Sequence, residues 1–192
     1  MEADWEVEIG PGAPVIAAQW AGFVDLRRTP ELAQSLPEVA LLPELAETLV
    51  RLNRPNSTVW TAKCDFWPLL DSSAWDADEM EASADCAFQA CAGYIDLLPA
   101  SDRIWDSPER AVSWCRQVCS RLRTVSEPCC RLDFVIRRAL GVRPAKSASD
   151  ELEIGISAYL TACGPSSDVA NRVLGRAAGR FADALDCHST IE

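Results

Sequence analysis

Six segments of this chain alternate apolar and polar side chains with a period of two: Trp5 to Ile9, Val15 to Leu26, Ser57 to Trp67, Cys86 to Leu98, Cys130 to Arg138 and Leu152 to Cys163. That spacing is the mark of a strand with one wet face and one buried face, so it predicts sheet before anything else is read. Three further stretches carry the helical period instead. Pro43 opens one, with Leu45, Ala46, Leu49 and Leu52 on a single stripe that ends near Asn53. Ser107 caps the next and Pro108 follows at its first turn, ahead of Ala111, Trp114, Cys115, Val118, Cys119 and Leu122. The last begins after Gly164-Pro165, with Ser166 or Ser167 as cap and Val169, Val173, Ala177, Phe181 and Leu185 along one side.

The predicted order is strand, strand, helix, three times over, and the residues echo it. Ala21-Gly22-Phe23-Val24-Asp25-Leu26 matches Ala92-Gly93-Tyr94-Ile95-Asp96-Leu97 nearly position for position, and Ala158-Tyr159-Leu160-Thr161-Ala162 is a weaker third copy. The leading strands agree as well: Glu6 to Ile9, Lys63 to Phe66 and Arg131 to Phe134 all read charged, apolar, acidic, apolar. These parallels predict a threefold ββα repeat, spanning about 4–54, 57–124 and 129–186, within a single α+β domain over residues 1–192. Its sheet of about six mostly antiparallel strands carries three helices on one face. The runner-up is the ferredoxin-like order βαββαβ with an appended strand and helix. Asp71 to Glu81 and Arg143 to Asp150, rich in Ser, Asp and Ala or holding Pro144, read as loops.

Period two then assigns faces. Val7, Ile9, Cys64, Phe66, Leu132 and Phe134 share one side with Val24, Leu26, Ile95, Leu97, Leu160 and Ala162, and the helical stripes are expected to cover it. Glu6, Glu8, Lys63, Asp65, Arg131, Asp133, Arg137, Gln19, Phe23, Asp25, Tyr94, Asp96, Ser157, Tyr159 and Thr161 fall on the other side. An antiparallel sheet can leave such a face to water. Aromatics and acids at equivalent positions make it the candidate recognition surface, with Phe23, Asp25, Asp65, Tyr94, Asp96, Asp133 and Tyr159 as its binding residues. Of the seven tryptophans, Trp5, Trp20, Trp60 and Trp114 are expected in the core, and Trp67, Trp75 and Trp105 at strand ends or loops where they could form a rim.

Composition narrows the function. With 18 basic against 29 acidic side chains and a net charge of −11, nucleic acid is not an expected partner, because phosphate binding needs clustered Lys and Arg. The acidic start, Met1-Glu2-Ala3-Asp4, differs from a secretory signal, and the most apolar run, Pro14 to Leu26, is too short and polar to span a bilayer. A cytoplasmic protein with no membrane partner is expected. Nine cysteines fit that compartment as reduced thiols, and the dominance of Arg over Lys63 and Lys146 suggests a bacterial source.

Catalytic patterns are scarce. The one histidine, His188, follows Cys187 near the end of the chain, no Cys-x-x-Cys pair exists, and Gly155-Ile156-Ser157-Ala158-Tyr159 stops short of a nucleophile elbow. Gly10-Pro11-Gly12 lacks the Lys and helix of a phosphate loop. No metal or cofactor is expected. Glu8, Asp65 and Asp133 would converge only if the leading strands were neighbours, and Lys63 and Arg131 favour ion pairing in their place. The reading that follows is a small acidic interaction factor, adaptor or immunity-like, that masks a basic protein partner through the open face. The alternatives are a small-ligand binder or enzyme using the sheet carboxylates and tyrosines, and self-association through that face.

Overall fold

The computed structural model describes residues 1–18, 20–83, 86–101, 104–141 and 153–186. Its strands are β1 (Glu2–Glu8), β2 (Val15–Ala17), β3 (Val59–Leu69), β4 (Gln89–Pro99), β5 (Cys130–Leu140) and β6 (Glu153–Gly164). Its α-helices are α1 (Pro37–Leu41), α2 (Leu45–Leu52), α3 (Pro108–Leu122) and α4 (Ser167–Asp186), with short 3-10 turns at Pro30–Ser35, Ser72–Ala74 and Asp78–Met80. The architecture is α+β: an open six-stranded sheet in the order β1-β5-β6-β4-β3, with β2 also paired to β5. All pairings are antiparallel except those of β1 and β2, which run parallel to β5.

α3 and α4 form where their end signals stand, whereas α2 begins at Leu45 with Glu44 at its N-cap, two residues after the Pro43 expected to open it. The Ser107 hydroxyl accepts from the Arg110 amide at 3.4 Å, Pro108 sits at the first turn, and the buried stripe of α3 is the one its period predicts. α2, α3 and α4 bury their apolar stripes against one face of the sheet in the main core. An aromatic seam runs through that core, from Trp105 to Trp114 at 4.8 Å between ring centres, on to Phe134 at 5.9 Å and to Phe181 at 5.7 Å. The parity of β4, β5 and β6, and of β3 from Lys63 onward, agrees with the alternation: Phe66, Ile95, Leu97, Leu132, Phe134, Leu160 and Ala162 all join this core.

The N-terminal third departs from the repeat. β3–β4–α3 and β5–β6–α4 are two strand–strand–helix units, whereas β1 and β2 make no hairpin and lie end to end along the same edge of β5. Ala21–Leu26, expected to be a strand equivalent to Ala92–Leu97, is a loop. Its physical cause is visible at Gly22, whose φ of +97° turns the chain into a conformation that side chains disfavour, and at Trp20, whose ring packs on that glycine. The Trp20 indole N–H then donates to the Ala62 carbonyl on β3 at 3.0 Å. The segment after β2 therefore crosses the uncovered face from one edge of the sheet to the other. It closes a second, smaller apolar cluster there: Ile16, Ala18, Trp60, Ala62, Leu98 and Ala139, with Phe23 packed on it. The ferredoxin-like order is not formed either, because β6 occupies the place between β5 and β4 that the first strand would take.

Tertiary packing also reassigns the tryptophans. Trp105 is 1% exposed, its indole N–H donating to the Ile154 carbonyl at 2.9 Å, so it belongs to the core and not to a rim. Trp20 is 44% exposed, against the core placement its alternation predicts. Trp60 is buried, on the opposite side of the sheet from Trp114. Asp71 to Glu81 is irregular as expected, while Arg143 to Asp150 and the Cys187-His188 pair lie outside the described residues. No helix among the described residues is long and apolar enough to cross a membrane.

Candidate functional site

Cross-strand register builds the uncovered face as straight rows, since residues directly opposite one another share a face. The central row is Asp65 on β3, Tyr94 on β4, Tyr159 on β6, Asp133 on β5 and Asp4 on β1. The row beside it reads Lys63, Asp96, Ser157, Val135 and Glu6. On the other flank run Trp67, Ala92, Thr161, Arg131 and Glu2.

Loops wall this belt at both ends. At one end stands the Phe23–Trp60 cluster, its rings 6.1 Å apart edge to face. At the other, Met80 and Ala82 pack on Ala90 and Cys163, with Trp75 against them. What remains open between the walls is polar and aromatic.

The tyrosines are the centre of the belt. Their rings lie 5.9 Å apart, and Trp67 extends the run with its ring 6.2 Å from that of Tyr94. The Arg137 guanidinium lies 5.4 Å from the Tyr159 ring and donates to the Tyr159 hydroxyl at 2.8 Å and to the Ser157 hydroxyl at 3.2 Å. Its other nitrogens grip Glu8 at 2.7 and 3.0 Å. Burial acts against this charge, yet the hydrogen bonds to Tyr159 and Glu8 outweigh it and raise the Arg137 pKa. A hydrogen bond with Tyr94 likewise raises the pKa of Lys63. Burial lifts the Tyr94 hydroxyl above its ordinary value, with Lys63 opposing the shift.

Asp96 is the most enclosed acid of the face. Ser157, itself fully buried, donates to it at 2.5 Å. Burial raises the Asp96 pKa, opposed by that hydrogen bond and by the charges of Arg137 and Lys63. The folded chain therefore holds this proton more tightly than the unfolded chain does. Wild type must lose stability, relative to a variant that cannot ionise, as pH rises from the ordinary carboxylate range through the raised value. Asp96→Asn, which keeps an acceptor for Ser157, is expected to match wild type in acid and to exceed it at neutral pH. Asp96→Ala strands a buried hydroxyl and should cost about 1–3 kcal/mol. Urea titrations of the three proteins at acidic and neutral pH measure both effects.

Of the residues predicted from the sequence, Asp65, Tyr94, Tyr159 and Asp133 fall in one row and Asp96 in the next. Phe23 serves as a wall, and Asp25 lies in the same loop, engaged with Arg27, whose guanidinium stacks 3.9 Å over the Trp60 ring. The Asp25 carboxylate takes Arg27 at 2.8 and 2.9 Å, the hydrogen bond that lowers its pKa, and its backbone carbonyl caps the turn at Arg28 and Thr29. Glu8, Asp65 and Asp133 do not converge. β3 and β5 are separated by β4 and β6, which sets Asp65 and Asp133 about 14 Å apart at the usual strand spacing. Among the described residues, no cluster of His, Cys, Asp and Glu could hold a metal ion. Arg137 belongs to the candidate site although the sequence does not single it out: parity puts it on the open face, but only the pairing of β5 with β6 brings it to Ser157 and Tyr159.

The face is acidic in sum. Glu2, Asp4, Glu6, Glu8, Asp65, Asp96 and Asp133 outnumber Lys63, Arg131 and Arg137. The cations are largely committed, Arg137 to Glu8, and Arg131 to Asp133 at 2.8 Å and Glu79 at 3.2 Å. Asp65 and Glu6 make no salt bridge among the described residues. Such a surface can stack a flat cation on its tyrosines and neutralise it with flanking carboxylates. Compared with protein-family models, curated proteins and solved structures, the chain matches none of them.

Proposed function

We propose that this protein is a recognition factor that binds a basic segment of a protein partner across the uncovered sheet face, masking it as an adaptor or immunity protein would. The observation that carries this reading is the in-register row Asp65–Tyr94–Tyr159–Asp133–Asp4, aromatic at its centre and acidic at its ends. Arginine side chains fit it best, since guanidinium stacks on aromatic rings and pairs with carboxylates through two hydrogen bonds. The overall charge of −11 adds long-range attraction for the same class of partner. This reading places the protein in the cytoplasm, where its nine cysteines would stay reduced.

An oligoarginine peptide is the direct probe. Calorimetry at low salt should detect binding that weakens as salt is added, and amide shifts should concentrate on β4 and β6 around Tyr94 and Tyr159. Asp65→Lys should lower affinity about tenfold or more, a loss of about 1.4 kcal/mol. Glu109→Lys, on the first turn of α3, makes the same change in net charge away from the face and should have a much smaller effect. Equal losses in both variants, or no binding at all, would remove the assignment. Light scattering of the protein alone reads the competing outcome, self-association through this face.

One observation favours a second reading, a small-ligand binder or enzyme. Asp96 is a buried acid with a raised pKa beside a serine hydroxyl and an arginine, the kind of perturbed group that marks reactive sites. A ligand found by thermal-shift screening would support it if Asp96→Asn and Tyr94→Phe abolish binding without lowering stability.

A further inference from the structure

We propose that Cys129 and Cys163 form a redox modification site, a pair of thiols that a small-molecule disulfide of the oxidised-glutathione class converts into a cross-strand disulfide. The inference rests on the ladder between β5 and β6 and is independent of what the open face binds.

The last paired residues at this end of the ladder are Cys130 and Ala162, so Cys129 and Cys163 come next and face each other. The Cys163 amide donates to the Cys129 carbonyl at 2.9 Å, which fixes that opposition. Directly opposed residues of antiparallel strands have Cα atoms about 4.5–5.5 Å apart, inside the window of about 4.4–6.8 Å that a disulfide spans. Cys129 packs on the apolar cluster that holds the Cys163 side chain, so the two side chains meet on the same side of the ladder.

The backbone holds the pair in position. Cys129 has a φ of +64°, a left-handed conformation that a residue with a side chain keeps only where its surroundings impose it. Here the constraint comes from both sides. The Cys129 amide donates to the Met80 carbonyl at 2.9 Å, and its own carbonyl accepts from Cys163.

Cys86 and Cys91 also lie near enough to Cys163 for their charges to interact with it, so the direct backbone opposition of Cys129 is what singles out this partner. Cys130 points into the main core and its thiol donates to the Glu127 carbonyl at 3.3 Å. Cys115 and Cys119 are buried within one helix, and Cys91 lies in the main core beneath the helices.

The chemistry balances with one named oxidant. The Cys129 thiolate, on the more accessible residue, attacks oxidised glutathione, forming a Cys129–glutathione disulfide and releasing one glutathione thiolate. The Cys163 sulfur then gives up its proton and attacks the Cys129 sulfur. The S–S bond between the strands forms, and the second glutathione leaves as a thiol. In total two protein thiols lose two electrons and two protons, and one oxidised glutathione is reduced. Burial holds the Cys163 thiol at about 11, so this second step is the slow one. The product fastens the turn at Asp78–Met80 to both strands through the Met80 carbonyl, stiffening one wall of the open face.

Peptide mass mapping after treatment of the native protein with oxidised glutathione, then alkylation of remaining thiols, is the test. The expected result is loss of two hydrogens confined to the peptides holding Cys129 and Cys163, reversed by dithiothreitol, with a rise in the thermal midpoint of the oxidised form. Cys163→Ala should trap a glutathione adduct on Cys129, Cys129→Ser should abolish both products, and Cys86→Ser, at an exposed thiol, should change neither. The proposal is overturned if Cys129 and Cys163 remain fully alkylated in the folded protein. It is equally overturned if the disulfide that forms joins a different pair.

Discussion

Truncating Phe134 to alanine is expected to cost about 3–5 kcal/mol, the largest loss from any single substitution considered for this chain. Phe134 has no exposed surface and stands where β5 meets the helices, touching Trp114 of α3 on one side and Phe181 of α4 on the other. Removing the ring leaves a void between two helices that pack on different parts of the sheet. Neither can close it without drawing away from its own stripe, so little of the cavity relaxes. A midpoint shift of about 10 °C or more follows at the usual scale for chains of this size. Val7→Ala is the control. It has the same parity as Phe134, one strand away and opposite Ile136, yet its side chain is 51% exposed and its loss should stay within about 0.5 kcal/mol. Urea unfolding followed by tryptophan emission compares the two. A loss below about 2 kcal/mol for Phe134→Ala would mean that the seam is less tightly packed than its ring spacings imply.

The contrast between Phe134 and Val7 also says what could be read from sequence. Alternation determines which way a side chain points from a strand, and it did so for β4, β5 and β6 and for the charged residues of β1. In β3 it holds beyond the register shift between Thr61 and Lys63, which puts Trp60 on the opposite face from Phe66. Whether anything then covers that side chain depends on how a helix lands, and Val7 stays half exposed although α3 packs along β1. The same limit explains the N-terminal third. Ala21–Leu26 shares its residues with Ala92–Leu97, but a strand exists only if a neighbour supplies its hydrogen bonds, and β5 already has β1 and β2 on that edge and β6 on the other. The segment instead uses Gly22 and Trp20 to cross the open face. For the candidate site, the residue types and the face were legible. Their order across the sheet was not, because it depends on long-range register. That register separates Asp65 from Asp133 while bringing Tyr94 beside Tyr159.

Gly93 is the other position where a large effect is expected, and it couples the core to the open face. It lies on β4 directly opposite Phe66 of β3, and a Cβ built there would sit 2.1 Å from the Phe66 ring and 2.6 Å from the Asp65 carbonyl. The ring lies over the bare backbone of the glycine. Gly93→Ala should therefore push Phe66 off its site and cost about 3 kcal/mol, at the upper end of the range for overpacking. Gly93→Val should cost still more. Phe66→Ala in the same chain removes the ring but not the contact with the Asp65 carbonyl. The double variant is thus expected to be less destabilised than the two single losses added together, but not restored to Phe66→Ala alone. Full restoration would show that the ring is the sole obstacle and that β3 can yield at Asp65. Additive losses would show that the ring does not touch the glycine at all. Because Asp65 and Tyr94 flank this contact and begin the acidic aromatic row, the residual strain in the double variant falls on the binding face itself. Oligoarginine affinity should drop in Gly93→Ala even under conditions where the protein remains folded, whereas Phe134→Ala, whose damage lies beneath the helices, should leave the affinity of its folded fraction unchanged.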